Sequence, residues 1–456
     1  MTSGTATAGA IEQPGQPSAT EPPVTPQFTR GYRRAALFIL TLVYVFNFVD
    51  RQVVNIIAEA IKRDLLLSDT ELGLITGIAF ALFYSLLGLP IARFAEHGDR
   101  PKIIAVAVAV WSAFTILCGF ANSFTHMLFA RLGVGVGEAG GVPPSHSLIT
   151  EFTPKEKRAS ALALYSAGLP TGALVGLALG GLVADAYGWR VAFFMAGLPG
   201  LFIALLALLV LKEPRRQARN KPTALDRQPL WSVIRQFAAL PTFRWTIIGA
   251  SLQGMVFYGY TSFLAPFYLR NHAEGLASVA TGFGLESTGF LGLALGLTLG
   301  LAGALGTFSG GWLADRLKGE TLKAYPAVPA IACLLSVPIF YILLTTASLA
   351  LSLALLAIGG ALTSVYLGPT HAICQGLSTP RNRATMSALT LVIINLVGLG
   401  VGPPFVGFVS DLAHNAYGFS EGAGLRAAML VIVSASLLSA LSYWLARRTV
   451  DAETIS

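Results

Sequence analysis

Residues 72–94 read LGLITGIAFALFYSLLGLPIARF, and this stretch, without a charged side chain before Arg93, decides the fold. A helix needs about 20 such residues to cross the roughly 30 Å hydrocarbon core of a bilayer. Eleven further apolar runs of similar length follow this pattern, at roughly 35–57, 103–121, 124–150, 159–186, 190–211, 246–269, 281–313, 324–345, 349–377, 385–411 and 425–446. Because the runs are continuous and do not alternate, they predict an all-α membrane protein of twelve transmembrane helices and not a β-barrel.

The composition excludes most other classes. Of the 456 residues 54% are hydrophobic and only 12% are charged, against about 25% charged in soluble domains. A soluble enzyme and a largely disordered chain are therefore excluded. Residues 1–29, rich in Pro, Ser, Thr, Gly and Ala, are predicted to be a disordered tail without a secretory signal.

The positive charges predict the orientation. Twenty-four Lys and Arg residues fall on the side of the two termini and five on the other side, so both termini are predicted to be cytoplasmic. We expect a plasma or inner membrane location. The long basic connection at 212–244 separates six helices (30–211) from six more (245–448), before a short tail at 449–456. Its cations favour topology and contacts with membrane lipids over nucleic-acid binding.

An internal repeat relates the two halves. Gly88-Leu-Pro-Ile-Ala-Arg93 ends the second span, and Gly311-Trp-Leu-Ala-Asp-Arg316 ends the eighth, 223 residues later. Asp185 and Asp411, at the far ends of the fifth and eleventh spans, are 226 residues apart. Two repeated six-helix bundles are typical of transporters, with the substrate site between them near the membrane midplane.

These motifs resemble the major facilitator superfamily over residues 30–448. The Gly-x-x-x-Asp-Arg element of that superfamily is intact at Gly311, Asp315 and Arg316, whereas the first copy keeps Gly88 and Arg93 but has Ala92 at the position of the Asp. The resemblance implies two pseudo-symmetric six-helix bundles that alternate in access, and a gating role for these residues. In the first copy, Glu96 or Asp99 would have to substitute for the missing acid.

Two further patches resemble the spinster family of lipid transporters. They are Asn47-Phe-Val-Asp-Arg51 in the first span and Arg131-Leu-Gly-Val-Gly-Val-Gly-Glu-Ala139 in the fourth. The resemblance implies that the charged residues of these patches, Asp50, Arg51, Arg131 and Glu138, act in transport.

These four charges lie deep within predicted spans, where each costs about 2.5–3.5 kcal/mol on insertion scales and a functional role is the default hypothesis. We predict that Asp50 and Glu138 are proton-coupling acids modulated by Arg51 and Arg131. Asp50 and Arg131 are at similar depth and could pair. The alternative is a static ion-pair network that joins spans one and four.

The fifth span carries Gly168, Pro170 and Gly172, followed by Gly176 and Gly180. Small residues at a spacing of four let helices approach closely. The pattern also resembles the glycine-rich motif of antiporters in the superfamily, which implies a bending hinge. Both interpretations, close packing and a hinge, stay open.

Candidate substrate residues are Asn47 in the first span, Tyr258 in the seventh and Tyr366 in the tenth. Hydroxylated aromatic rings suit an amphipathic solute, and Arg51 or Arg131 could hold a phosphate head. We therefore predict a monomeric, proton-coupled carrier of a lysolipid or sphingoid type of solute. The alternatives are a carrier of a small polar or drug-like solute, and a multi-span receptor or sensor without turnover.

No enzymatic activity, cofactor or metal is predicted. The run Gly135–Gly140 matches a dinucleotide fingerprint by letter but lacks the preceding strand. Cys118, Cys333 and Cys374 lie in or at the end of apolar runs, without the spacing of a disulfide framework or a zinc site.

Overall fold

The computed structural model describes residues 28–95, 98–214, 230–319, 321–379 and 382–454, and their regular structure is helical throughout. The helices of the N-terminal half are α1 (Arg30–Ile56), α2 (Ala58–Leu65), α3 (Asp69–Thr76), α4 (Ile78–Ala95), α5 (Arg100–Gly119), α6 (Phe124–Glu138), α7 (Val142–Phe152), α8 (Arg158–Ser166), α9 (Gly168–Tyr187) and α10 (Trp189–Val210). Those of the C-terminal half are α11 (Leu230–Ala238), α12 (Pro241–Asn271), α13 (Ala273–Gly282), α14 (Ser287–Leu317), α15 (Ala324–Thr345), α16 (Leu349–Ser364), α17 (Leu367–Gly376), α18 (Arg383–Tyr417), α19 (Glu421–Ala446) and α20 (Val450–Glu453).

The twelve predicted spans are confirmed as helices. Spans one, three, six, seven, eight, nine, eleven and twelve are single helices, and the other four are pairs: α3 with α4, α6 with α7, α8 with α9, and α16 with α17. Among the described residues, ten helical segments are long and apolar enough to cross a membrane by themselves. The remaining two spans are the divided α6–α7 and the single helix α12.

Local sequence explains where the divided spans break. In the fourth span the helix ends at Glu138, Gly140 and Gly141 follow, and α7 restarts with Pro143 in its first turn. Proline lacks the N–H that an uninterrupted helix would need, but fits a first turn well. The fourth span is therefore interrupted immediately after Glu138, one of the two acids predicted to couple transport to protons.

The glycines of the fifth span pack against the first. A Cβ at Gly172 would lie 2.3 Å from the carbonyl oxygen of Val45 on α1, so only glycine permits this approach. Gly168 and Gly180 also face α1 at close range. This arrangement favours the packing interpretation of the motif, and the bending hinge stays a prediction.

Two helix pairs carry most of the contact between the halves. The fifth span (α9) packs along the eighth (α14), and the second span (α3 and α4) packs along the eleventh (α18). These pairs are equivalent under the internal repeat.

We call the face where α1 begins and α19 ends the terminal face, and the opposite one the distal face. The predicted disordered tail, apart from residues 28 and 29, and residues 215–229 of the basic connection lie outside the described residues.

Candidate functional site

The deep charges of spans one and four meet in the N-terminal half. Arg51 Nε on α1 donates to Glu138 Oε2 at the end of α6 over 2.7 Å. Glu138 is fully buried, whereas 16% of the Arg51 side chain is exposed. Since burying two charges is costly unless they pair, this ion pair explains how both residues are tolerated at this depth.

Aromatic rings surround the guanidinium of Arg51. Its Cζ lies 4.5 Å from the ring centroid of Tyr84, 4.6 Å from that of Phe80 and 5.1 Å from that of Phe48. Such contacts stabilise a cation more strongly when water is excluded. Tyr84 was not predicted from the sequence, because one more tyrosine in an apolar helix carries no distinguishing pattern.

Asp50 and Arg131 do not form the pair that their similar depth suggested. Asp50 Oδ2 instead accepts a hydrogen bond from Thr115 Oγ1 on α5 at 3.1 Å. Arg131 Nε points to the carbonyl oxygen of Ile75 at 3.5 Å, and its guanidinium lies 5.7 Å from the ring centroid of Phe80. The two side chains share a depth but turn towards different helices, so depth alone was not enough to predict the partner.

Several polar atoms at this site are buried without a hydrogen-bond partner. They are Oε1 of Glu138, Oδ1 of Asp50 and both amide atoms of Asn47. Each of these three residues is at most 2% exposed. Unsatisfied buried polar atoms are uncommon in proteins and cost free energy. The site therefore retains capacity for a proton or for polar groups of a ligand.

The C-terminal half contributes uncharged polar side chains. Tyr258 on α12 donates its hydroxyl to Oδ1 of Asn395 on α18 at 3.2 Å. Asn395 was missed by the sequence reasoning, which had searched for charges and aromatic rings. Tyr366 is 4% exposed and lies in a core cluster with Ile373, Ile394 and others of the C-terminal half, so its role in binding stays a prediction.

The two signature loops make local contacts. Asp315 accepts the hydroxyl of Tyr325 at 2.5 Å, and Arg316 lies over the ring of Trp312, all within the C-terminal half. In the first copy, Arg93 is exposed and no atom lies within 4 Å of where a Cβ of Gly88 would be. Asp99 caps α5, and Glu96 lies outside the described residues. The gating role of both copies stays a prediction.

Ion pairs join the two halves at the distal face. Arg270, at the end of α12, forms a two-pronged pair with Asp69 at 2.9 Å for each bond, and pairs with Glu59 at 2.7 Å. Lys62 adds a contact to Asp69 at 3.0 Å. Nearby, burial and the neighbouring Arg426 lower the pKa of His272.

Among the described residues, the ion pairs and hydrogen bonds of the terminal face stay within one half. Arg100 binds Glu151 at 2.6 Å and also binds Glu213, all in the N-terminal half. In the C-terminal half, Glu453 accepts the backbone N–H of Thr242 at 2.9 Å. In the part of the chain that the structure describes, the polar contacts that join the halves thus lie on the distal side. This pattern is expected of a carrier that is closed at the distal face.

Comparison with known proteins agrees with this geometry. The sequence pattern of the Major Facilitator Superfamily matches residues 40–403. The chain therefore belongs to this superfamily of membrane transporters, and the predicted fold is confirmed.

Its relatives place it more narrowly. A bacterial homolog of the human lysosomal transporter Spinster, solved in an inward-facing and unoccupied conformation, is 31% identical; the match covers 94% of this chain and 100% of that one, with a TM-score of 0.83. Protein spinster homolog 1 of Homo sapiens is 26% identical over 90% of this chain and 79% of that protein. An MFS-type efflux pump of Mycolicibacterium smegmatis is 32% identical over 91% of this chain and 93% of the pump. The protein is a transporter of the spinster family, as its motifs indicated.

Proposed function

We propose that this transporter is proton-coupled and moves an amphipathic, lipid-like solute by alternating access. The observation that carries the proposal is the buried Arg51–Glu138 pair, because one oxygen of Glu138 and one of the neighbouring Asp50 have no partner. A carboxylate with an unused oxygen in a dry site can take up a proton and so change the charge of the whole site.

Protonation of Glu138 would alter the state of Arg51. The neutral carboxyl attracts the guanidinium less than the carboxylate does, so Arg51 becomes available to an anionic group. Arg51 is suited to this exchange, since 16% of its side chain is exposed whereas the side chain of Glu138 is fully buried. Proton binding and solute binding would then be linked through one residue. Asp50, bonded to Thr115 on a third helix, would be the second acid.

The surroundings of Arg51 suit a solute with an apolar body. The rings of Phe48, Phe80 and Tyr84 lie beside the guanidinium. On the other half, α12 contacts α1 and carries Tyr258, which pairs with Asn395. Guanidinium binds phosphate with a matched geometry, while hydroxyl and amide groups can bind a neutral polar portion. A lysophospholipid or a sphingoid phosphate combines these features.

A second candidate is a drug-like solute. The relative from Mycolicibacterium smegmatis is described as an efflux pump, and an aromatic-lined site tolerates many apolar bodies. Competition distinguishes the two candidates: a lysolipid carrier is inhibited by unlabelled lysolipid, and a drug carrier is inhibited by drug-like amphiphiles.

We also propose that the terminal face is cytoplasmic, because the Lys and Arg residues of the sequence are strongly biased to that side. With this orientation the structure, closed at the distal face, is inward-facing. The orientation is tested by the substitution Tyr187→Cys, which places an exposed cysteine on the distal face, followed by labelling of this cysteine in intact cells.

The central test uses the purified full-length protein in liposomes. A proton gradient drives uptake of a labelled lysophospholipid, a sphingoid phosphate or a fluorescent drug-like amphiphile. We expect Glu138→Gln to abolish gradient-driven accumulation while solute counterflow without a gradient persists, because the neutral amide still lines the site but cannot exchange a proton. Asp50→Asn should act in the same direction.

The matched control is Glu274→Gln, which makes the same change in an exposed residue of α13. It should leave both activities unchanged. Gradient-driven uptake that is unaffected by Glu138→Gln and Asp50→Asn would contradict proton coupling at these residues. Absence of counterflow for every lipid, with counterflow of the drug-like probe, would replace the lipid-like solute by the second candidate.

A further inference from the structure

We infer that Asp185 and Asp411 are a symmetry-related pair of latches that hold the distal side of the transporter closed. Each is near the distal end of a long helix of one half, and each accepts at least one hydrogen bond from the first turn of a helix of the other half. The inference rests on the alternating access of the proposed function, but not on its proton coupling or its solute.

The first latch joins the eleventh span to the second. Asp411 Oδ1 accepts the backbone N–H of Asp69 at 3.0 Å. Its Oδ2 accepts the backbone N–H of Thr70 at 2.7 Å and the hydroxyl of Thr70 at 2.5 Å. Asp69 and Thr70 are the first two residues of α3, whose opening N–H groups have no partner within their own helix.

The second latch joins the fifth span to the eighth. Asp185, two residues before the end of α9, accepts the backbone N–H of Gly289 on Oδ2 at 2.5 Å. Gly289 is the third residue of α14. Here too the acceptor is a carboxylate of one half, and the donor is an otherwise unpaired N–H in the first turn of a helix of the other half.

The internal repeat makes the two latches equivalent. Asp185 and Asp411 are 226 residues apart, and the fifth and second spans of the N-terminal half correspond to the eleventh and eighth spans of the other. A carboxylate at a helix N-terminus is stabilised by hydrogen bonds and by the helix dipole. In both latches, therefore, a carboxylate of one half binds the N-terminus of a helix of the other half at equivalent positions of the repeat.

Close backbone packing of the two halves surrounds both latches on the closed distal side. Beside the first latch, a Cβ at Gly407 would lie 2.1 Å from the carbonyl oxygen of Asp69. Beside the second, a Cβ at Gly181 would lie 2.5 Å from the carbonyl oxygen of Thr288. Separating the halves on this side would break both latches at once.

The two latches differ in strength. Asp411 accepts three hydrogen bonds, and Asp69, one of its donors, is itself paired with Arg270 and Lys62. Asp185 accepts one hydrogen bond from the other half. We therefore expect Asp411 to contribute more to the closed state than Asp185.

The test measures the distance between two spin labels in the purified full-length protein, without a solute or a proton gradient. The labels are placed at Tyr187→Cys and Tyr417→Cys, which are 73% and 72% exposed at the distal ends of α9 and α18. The three native cysteines are buried and should not react. A longer distance reports opening of the distal side.

Asp411→Asn should raise the ratio of open to closed molecules about tenfold, the change expected when charge-assisted hydrogen bonds become neutral. Asp185→Asn should raise it by a smaller factor. The double variant should show about the product of the two changes, since the latches share no partner. Thr70→Val removes only the hydroxyl donor and should raise the ratio of open to closed molecules by a smaller factor than Asp411→Asn. It takes the place of Asp411→Asn in the test if that variant folds poorly.

The matched control is Asp64→Asn. Asp64 binds Arg190 at 2.6 Å on the distal side, but both residues belong to the N-terminal half. It should leave the distances unchanged. The inference is overturned if the double variant, still monodisperse, keeps the distances of the parent, or if Asp64→Asn shifts them equally. Either result is independent of whether transport proves to be proton-coupled.

Discussion

The two halves share a backbone plan but differ in the chemistry of their interiors. Within the described residues, the charged side chains buried between the two faces all belong to the N-terminal half, namely Asp50, Arg51, Arg131 and Glu138. The interior of the C-terminal half has pairs of uncharged hydroxyl, thiol and amide groups, namely Tyr258–Asn395, Tyr260–Thr363 and Cys333–Gln253. A repeated fold has thus kept its helix packing while the two interiors diverged.

This difference assigns distinct tasks to the halves. A carboxylate can take up a proton and responds strongly to burial, whereas hydroxyls and amides keep their protonation state. We therefore expect coupling to depend on the N-terminal half, and recognition of uncharged portions of the solute to depend on the C-terminal half. Substitutions that remove one partner from each kind of pair should separate the two tasks.

The largest effect is expected from Arg51→Ala. It leaves Glu138 buried and unpaired, and removing one partner of a buried ion pair typically costs about 3–5 kcal/mol of folding free energy. Chemical unfolding in detergent micelles measures this change. The double variant Arg51→Ala with Glu138→Gln should be more stable than Arg51→Ala alone, because the unpaired charge is then removed.

The control is Arg190→Ala, which breaks the partly exposed pair with Asp64. Its side chains are 38% and 44% exposed, and such pairs contribute about 0–1 kcal/mol. Equal losses for Arg51→Ala and Arg190→Ala would show that the buried pair is not a determinant of the N-terminal half, and the contrast between the halves would fail.

Much of this organisation could be predicted from the sequence, because the membrane imposes strong and simple constraints. Continuous apolar length predicted the twelve spans, and the cost of a charge in lipid drew attention to Asp50 and Glu138. The repeat was visible because Asp185 and Asp411 recur at one offset. These features depend on position along the chain and not on the detailed rotation of a helix.

The partners could not be predicted in the same way. Successive residues of a helix point about 100° apart, so small rotations decide whether Asp50 or Arg51 faces the fourth span. The distal network was invisible for another reason: Asp69 and Arg270 are 201 residues apart and lie in different halves. Thr115 and Asn395 gave no signal, because uncharged polar residues are common in membrane helices.

A smaller effect is expected from Tyr258→Phe, which removes the hydroxyl bonded to Asn395. Solute affinity should fall by about tenfold, or about 1.4 kcal/mol, while the proton dependence of transport stays that of the parent. Binding titrations and uptake at several pH values measure the two quantities. Tyr341→Phe, which alters an exposed tyrosine bonded to Ser434, is the control. A change in proton dependence with Tyr258→Phe would contradict the division of tasks.

The smallest effect is expected from Tyr260→Phe. The hydroxyl of Tyr260 lies 3.0 Å from Oγ1 of Thr363, but Thr363 also donates to the carbonyl oxygen of Gly360 at 3.1 Å. Because the partner keeps a hydrogen bond, the loss in folding free energy should be about 1 kcal/mol. Tyr260 is fully buried among core residues, so solute affinity and proton dependence should not change. If solute affinity fell as much as it does for Tyr258→Phe, Tyr260 would belong to the solute-binding site. The distinction between binding pairs and structural pairs in the C-terminal half would then be wrong.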